Sequence, residues 1–421
     1  MIRAHPIALI AMVTALGLPG LANAMSLPEA IALAERSNPT LAQSRAQSDA
    51  AASRLSEARA GRLPSVVLSG ESRTGSSDLG GFFGFGRSRV RPRGAVLELR
   101  QPLFAGGAIN ASIDRARDAR DAALAQVGGA RALLRVQVAE AYTTVLSANQ
   151  LLALHEAHVR QMDEIARQAA LRFRAGETAR TDLDQAHARL AEARAGLARA
   201  TGDAARAQAH FTSVVGTAPD GLQPPPPPPQ TPPTLEDAVA MATQSSPALL
   251  GVRASVRAAE AGVRFARADR FPSVALSAKA TTSRDQFFPG YRADGYAVGV
   301  EGRWTLFSSG LISGRISEAR ADVRVAEAQL DATTAQVHEA VVGAWQDVRT
   351  AKAVVEAATD QAAAASGALE SVRHEVRVGQ KPPVDLLDAE REALAADSAL
   401  VIARGDEVVD AYRLNALLHG Q

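Results

Sequence analysis

The chain has no cysteine, few aromatic residues and almost no net charge, and each shortage removes a class of explanation. Without thiols there is no disulfide framework, thiolate metal site, cysteine nucleophile or lipidated N-terminal cysteine. Aromatics make up 4% of the residues, low for a compact core, while Ala, Leu, Glu and Arg dominate as in long-helix and coiled-coil proteins. A net charge of +1 gives no electrostatic reason to expect a nucleic-acid partner. Beyond residue 24 no stretch offers 18 uninterrupted apolar residues, so no transmembrane helix is expected in the mature chain. No G-x-S-x-G, H-E-x-x-H, Walker or dinucleotide motif occurs, so neither an enzyme nor a cofactor is expected.

What is present begins with a leader. Arg3 and His5 precede an apolar run from Ile7 to Leu18, followed by Pro19-Gly20 and Ala22-Asn23-Ala24. At about 12 residues the run is too short to span a bilayer, and the A-x-A ending predicts a signal peptide over 1–24 with Met25 as the first mature residue.

The 421 residues then read as one unit written twice. Residues 27–65 align without a gap on 235–273: Asn38-Pro39 falls on Ser246-Pro247, and Leu63-Pro64-Ser65 on Phe271-Pro272-Ser273. From Leu103-Phe104 against Leu306-Phe307 onward the offset is five residues shorter, a loss that a hairpin loop can absorb. The expected division is 25–218 for the first repeat, 219–234 for a Pro-rich linker and 235–421 for the second repeat. Pro224 to Pro229 reads as a semi-rigid polyproline II spacer.

Each repeat opens with two helices and continues into two strand patterns, at about 65–75 and 93–101 and at about 273–284 and 295–305. Val274, Leu276, Ala278 and Ala280 alternate with Ser277, Lys279 and Thr281; Tyr296, Val298 and Val300 alternate with Gly299 and Glu301; Ala95, Leu97 and Leu99 alternate with Glu98 and Arg100. Period two with one apolar face means half-buried strands. Four strands of about ten residues suit a tilted bilayer crossing with a wet inner face, where Glu98, Arg100, Glu301 and Arg303 are expected. The loops between them, Gly80-Gly81-Phe82-Phe83-Gly84 and Phe287-Phe288-Pro289-Gly290-Tyr291, are glycine-rich and aromatic.

A long helix follows in each repeat, about 108–173 and 311–375, some 100 Å at 1.5 Å per residue. Val337, Val341, Ala344, Val348, Ala351, Val355, Ala358 and Ala362 step by four and three, and so do their twins from Leu134 to Val159. Small and β-branched residues at that spacing predict a close-packed coiled coil. Each long helix then turns back on a shorter one, about 180–214 and 383–418. The tips span 174–182 and 377–388: Gly176 and Gly379 can end a helix in the left-handed region, and Pro382-Pro383 can open the next. Asp385 and Asp388, three apart, share one face of the new helix's first turn.

Four membrane strands cannot close a barrel, and open edges are not tolerated in lipid. Several copies must therefore pool their strands. Eight strands would make a filled barrel, and twelve leave room for a channel.

The leader, the S/T-L-x-x-A start, the N/S-P step, the L/F-P-S strand start, Q-P-L-F-x-G-G, W-T-L-F-x-x-G and the tip V-G-x-x-x-x-V-D-L-L-D-A-E resemble the TolC family of outer-membrane factors over residues 26–421. The resemblance implies an α+β membrane protein: long coiled-coil hairpins plus four transmembrane β-strands per chain in two structural repeats. Three copies would form a 12-stranded barrel in outer-membrane lipid and a 12-helix periplasmic tunnel. It also implies an export duct that docks a periplasmic adaptor and an inner-membrane transporter, with drug or small-molecule efflux first and type I protein secretion next. The contrasting expectation is a non-conducting trimeric coiled-coil structural or surface protein. Carried over by position, the family's periplasmic gate falls on Asp385, Asp388 and Lys381, with latch partners Thr181 and Asp182. Where the best-known member has an aromatic hydroxyl, this chain has Val376, so one latch bond is expected to be missing. Adaptor docking is expected at the tip turns Ala175-Gly176-Glu177 and Val378-Gly379-Gln380. His155 and His158 could touch one metal, but His155 takes a seam position equivalent to Ala358, which reads as a packed coil histidine.

Overall fold

The computed structural model describes residues 24–78, 80–81 and 86–419. The expected leader and part of the first glycine-aromatic loop, residues 82–84, lie outside the described residues. The elements are α1 (Leu27–Ser37), α2 (Pro39–Ala60), β1 (Ser65–Ser72), β2 (Gly75–Ser77), β3 (Ser88–Val90), β4 (Arg93–Ala105), α3 (Ala108–Arg174), α4 (Arg180–Val215), α5 (Leu235–Ser245), α6 (Pro247–Ala268), β5 (Ser273–Arg284), β6 (Arg292–Arg303), α7 (Leu311–Arg377) and α8 (Pro383–Leu418). Helices pair off by length: 11 residues in α1 and α5, 22 in α2 and α6, 67 in α3 and α7, 36 in α4 and α8.

Local chemistry explains these starts. In α1 the Glu29 carboxylate accepts from the Ser26 N–H at 2.8 Å while the Ser26 hydroxyl accepts from the Glu29 N–H at 3.4 Å. In α5 the Thr234 hydroxyl accepts from the Asp237 N–H at 3.1 Å. The S/T-L-x-x-A start is thus a capping signal that satisfies orphan helix donors. Pro39 and Pro247 sit in the first turns of α2 and α6, where their missing N–H costs nothing.

The chain divides into two compact units. One contains residues 24–37, Gln137–Pro228 and Val354–Val409. Here Met162, Ala166, Ala186, Leu190, Ala193 and Leu387 form a core, and His155 packs against α4. The fully buried Tyr142 donates to the carbonyls of Met25 at 2.8 Å and Gln223 at 2.7 Å, tying the start of the described chain to the linker. Burial first of all pushes that phenol above its ordinary value.

The other unit contains Asn38–Val136, Pro229–Ala353 and residues 410–419. Its core joins α5, α7 and the end of α8 through Ala238, Ala242, Val337, Val341, Val348, Leu414 and Leu418. Trp345 donates its indole N–H to the Pro232 carbonyl at 3.3 Å and carries the Arg349 guanidinium 5.0 Å from its ring centroid. This unit holds a four-stranded antiparallel sheet in the order β1-β4-β5-β6. No helix among the described residues is long and apolar enough to cross a membrane.

The strand expectation needs correcting in two respects. Besides the four long strands, a short ribbon pairs β2 with β3. Its three-residue segments, Gly-Ser-Ser and Ser-Arg-Val, are too short and polar to show an alternating pattern. The strand bounds also shift: β1 stops at Ser72, β4 runs on to Ala105 through an irregularity between Pro102 and Phe104, and β6 covers Arg292–Arg303.

Register lines up one apolar face across the sheet. Val66 opposes Leu99, Leu99 opposes Ala278, and Ala278 opposes Val298. The next row is Leu68, Leu97, Ala280 and Tyr296. These side chains stand bare in the single chain: Tyr296 is 88% exposed, Leu68 73% and Val298 69%. The opposite face carries Glu98 opposite Lys279, and also Arg100, Glu301 and Arg303.

Candidate functional site

The two hairpin tips have the same backbone. At the first, Gly176 has φ of 76°, and the Glu177 N–H reaches back to the Arg172 carbonyl at 2.9 Å. At the second, Gly379 has φ of 79°, and the Gln380 N–H reaches the Glu375 carbonyl at 2.8 Å. Both are Schellman closures, which require a residue in the left-handed region and therefore favour glycine. Nothing lies within 4 Å of where a Cβ would stand at either glycine, so the constraint there is conformational, not steric. All six residues of the two turns are exposed.

Around the second tip the charged groups cluster. Lys381 Nζ lies 2.9 Å from Glu375 Oε2, closing an ion pair across its own turn. That pair, with a smaller contribution from Asp385, raises the lysine above its ordinary value. Within the chain the ion pair of Lys381 is thus to Glu375, and among the described residues it makes none to Asp182. Asp385 is half-buried at the start of α8. Asp388, one turn on, lies 3.6 Å from Arg189 on α4 and 3.8 Å from Arg391. Arg189 thus ties the first hairpin to the second.

Asp182 lines a small cavity of about 50 Å³ shared with Thr178, Val376, Pro383, Val384 and Leu387. Val376 therefore borders the same space as Asp182, and its apolar side chain offers no hydrogen bond there. Thr181 is exposed at the start of α4.

Sequence reading missed the firmest contact of the region. Arg373 donates from Nε at 3.1 Å and from Nη2 at 2.6 Å to Glu390, whose side chain is 5% exposed. The two residues lie 17 apart and meet only once α7 and α8 are folded back at Gly379. The signal was available in the tip itself: counting back from Gly379 and forward from Pro383 puts them at matching heights.

Farther along α3, His155 faces Gly196 of α4, where an added Cβ would come within 3.1 Å of Nδ1. Burial, then the nearby Arg199 charge, lowers the His155 pKa. Burial, then His155, lowers that of His158, against a smaller opposing effect of Glu192. This is a packed helix seam, and among the described residues no group of three His, Asp or Glu side chains is arranged to hold a metal ion.

Comparison with known proteins now bears on this geometry. The chain matches the family described as outer membrane efflux protein over residues 30–217 and 238–420. It is similar to the outer membrane efflux protein BepC of Brucella suis, 33% identical over 280 residues, covering 66% of this chain and 61% of that protein. The matched stretch thus spans less than two thirds of the Brucella protein's length. It is also similar to Protein CyaE of Bordetella pertussis, 33% identical over 345 residues, 79% of this chain and 71% of that one. Among solved structures, the outer membrane protein VceC of Vibrio cholerae superposes with a TM-score of 0.79 at 20% identity, covering 93% of this chain and 96% of that one.

Proposed function

This chain belongs to the outer membrane efflux protein family, and on that premise we propose that three copies form the exit duct of a tripartite export system. The chain resides in the outer membrane with its helical part in the periplasm. The observation that carries the proposal is the sheet: four strands, an exposed apolar face, and two outer strands, β1 and β6, each paired on one side only. In lipid such edges must be satisfied. Three copies supply twelve strands and a lumen lined by Glu98, Lys279, Arg100 and Glu301, a mixed-charge wall suited to water.

The export role follows the Brucella relative, an outer membrane efflux protein. A periplasmic adaptor docks at the exposed turns around Gly176 and Gly379 and connects the duct to an inner-membrane transporter. Drugs or other small molecules are the first substrate class, secreted proteins the second. Residues 1–24 are a cleaved leader, 25–218 and 235–421 two repeats, and 219–234 the linker between them.

The gate lies at the second tip. Three copies of Asp385 and Asp388 converge on the axis and attract cations, since a confined ring of like charge focuses its field. Within each chain Lys381 answers Glu375 and Asp385, and in the trimer it lies near Thr181 and Asp182 of the neighbouring hairpin. Single-channel recording tests the reading. The protein should conduct, with cation selectivity and block by small multivalent cations from the periplasmic side. Asp385→Ala with Asp388→Ala should remove the block, and Lys381→Ala should raise conductance. A trimer that never conducts would support the coiled-coil surface protein instead, and a monodisperse monomer with intact strands would contradict the barrel.

A further inference from the structure

One row of the sheet is unlike the others. At the end far from the helices, Arg93 of β4 opposes Arg284 of β5, and Arg284 opposes Arg292 of β6, with Ser72 of β1 completing the row. Directly paired residues point to one face, and alternation places these three arginines on the face of Leu97, Ala280, Tyr296 and Val298. That is the apolar face, not the charged one. Like charges directly opposite one another destabilise a sheet, so the row needs anions. Asp294, one row inward, is the one carboxylate on that face of the described strands, and it is occupied. Arg284 takes it in a two-pronged pair at 2.9 and 3.1 Å, and Thr282 donates to it at 2.7 Å. Arg93 and Arg292 make no ion pair among the described residues and are exposed.

Height sets what these guanidiniums can meet. From Val274 to Arg284 is about 34 Å along the strand at about 3.4 Å per residue. A tilt of about 40° reduces this to about 26 Å, the height of one apolar band. The lower limit of that band is marked by Trp304, Phe104 and Phe271, all substantially exposed. The arginine row therefore stands at the opposite headgroup level, in the outer leaflet, because the helical part is periplasmic. No comparable row lies on that face at the helix end, where Arg100 and Arg303 point the other way.

From this we infer that Arg93, Arg284 and Arg292 form a collar that binds phosphate groups on lipid headgroups of the outer leaflet. A planar guanidinium matches phosphate with two parallel hydrogen bonds, which lysine cannot reproduce. The collar continues the lipid-facing apolar band without a break, so the phosphate it meets is carried by a lipid whose chains cover Tyr296 and Val298. The inference rests on the sheet being membrane wall, as in the proposed duct, but does not require that the duct conduct.

The test uses the full protein in neutral detergent, mixed with lipid A carrying both phosphates, with dephosphorylated lipid A, or with inorganic phosphate, and counts bound lipid by native mass spectrometry. The wild type should retain phosphorylated lipid A about tenfold better than the dephosphorylated form. Arg93→Gln with Arg292→Gln should lose about that factor, and Arg93→Lys with Arg292→Lys should fall between. Arg100→Gln with Arg303→Gln, on the lumen face, should retain phosphorylated lipid A as well as the wild type does, whatever it does to conductance. Equal retention by the Gln and wild-type proteins overturns the collar, as does equal retention of the two lipids. Displacement by equimolar inorganic phosphate assigns a soluble-anion site and overturns the lipid source. Should the Gln variant fail to assemble, the Lys variant decides alone: undiminished retention overturns the two-pronged recognition. Conductance of the same preparations separates the readings. A conducting channel with unchanged lipid binding removes the collar and leaves the duct, while a silent protein that binds lipid A removes the duct and leaves the collar.

Discussion

At the first tip the turn is held by backbone bonds around Gly176 and by the apolar contacts of Met162 and Leu190. At the second, the same backbone bonds around Gly379 are joined by Arg373–Glu390 and Lys381–Glu375. The twin positions in the first hairpin hold Ala170 with His187 and Thr178 with Arg172, and neither pair can form such a tie. The Thr178 hydroxyl oxygen is buried without a hydrogen-bond partner. Glycine in the left-handed region therefore sets the turn, while side-chain ties decide how firmly each turn is held. The first hairpin also has an ion pair across its arms, Arg194–Asp163 at 3.4 Å, but that pair is exposed and farther from the turn, so the first turn is held less firmly than the second.

The largest test breaks what the tips share. Gly176→Val with Gly379→Val forces a β-branched residue into the left-handed region at both turns, with no clash to hide behind. Export in cells should be lost while trimers still assemble, and unchanged export would place the docking surface elsewhere. Next comes the tie that the second tip alone possesses. Glu390→Ala leaves Arg373 unanswered at a partly buried site and should cost about 2 kcal/mol, between the values for exposed and buried pairs. His187→Ala, its twin, should cost almost nothing. Hydrogen exchange across α7–α8 and α3–α4 reads both, and equal effects would erase the difference between the tips.

The smallest effect is one of pH. His155 and His158 are both held below the ordinary value of 6.5, chiefly by burial, with Arg199 and Glu192 of α4 facing them. A depressed histidine favours the fold when neutral, so its contribution is complete above about pH 6.5 and is lost as pH falls toward the folded value. The first hairpin should therefore show smaller protection factors, after correction for the pH dependence of intrinsic amide exchange, at pH 5.5 than at 7.5. His155→Leu should flatten that dependence, and Ala358 at the twin position gives the second hairpin no such response. A first hairpin indifferent to pH would mean that both rings are already solvated.

Much of this was readable before folding because punctuation is local. Gly176, Gly379, Pro39 and Pro247 each fix a boundary through their own backbone, and the four-three stepping from Val337 to Ala362 marks a seam in which Val341 and Val348 are indeed buried. What could not be read depends on partners far along the chain. Arg373 and Glu390 meet only through a folded hairpin, and the arginine row exists only once the register of three strands is known. The β2–β3 ribbon escaped because three residues carry no period. At the second tip, residue types marked a charged cluster, but the choice of Glu375 as the ion-pair partner of Lys381 depends on the turn's geometry.

The middle of the sheet also imposes an order in time. β4 ends at Ala105 and its second neighbour, β5, begins only at Ser273, so the whole first helical hairpin and the linker intervene. During export from the N-terminus, β4 can pair with β1 at once but must keep its other edge unsatisfied until some 170 further residues have arrived. An open edge of that kind is a template for mispairing. The helices can fold as they emerge, since their bonds are local. The sheet cannot, and its insertion into lipid is therefore a late, nearly whole-chain event that depends on something shielding β4 in the meantime.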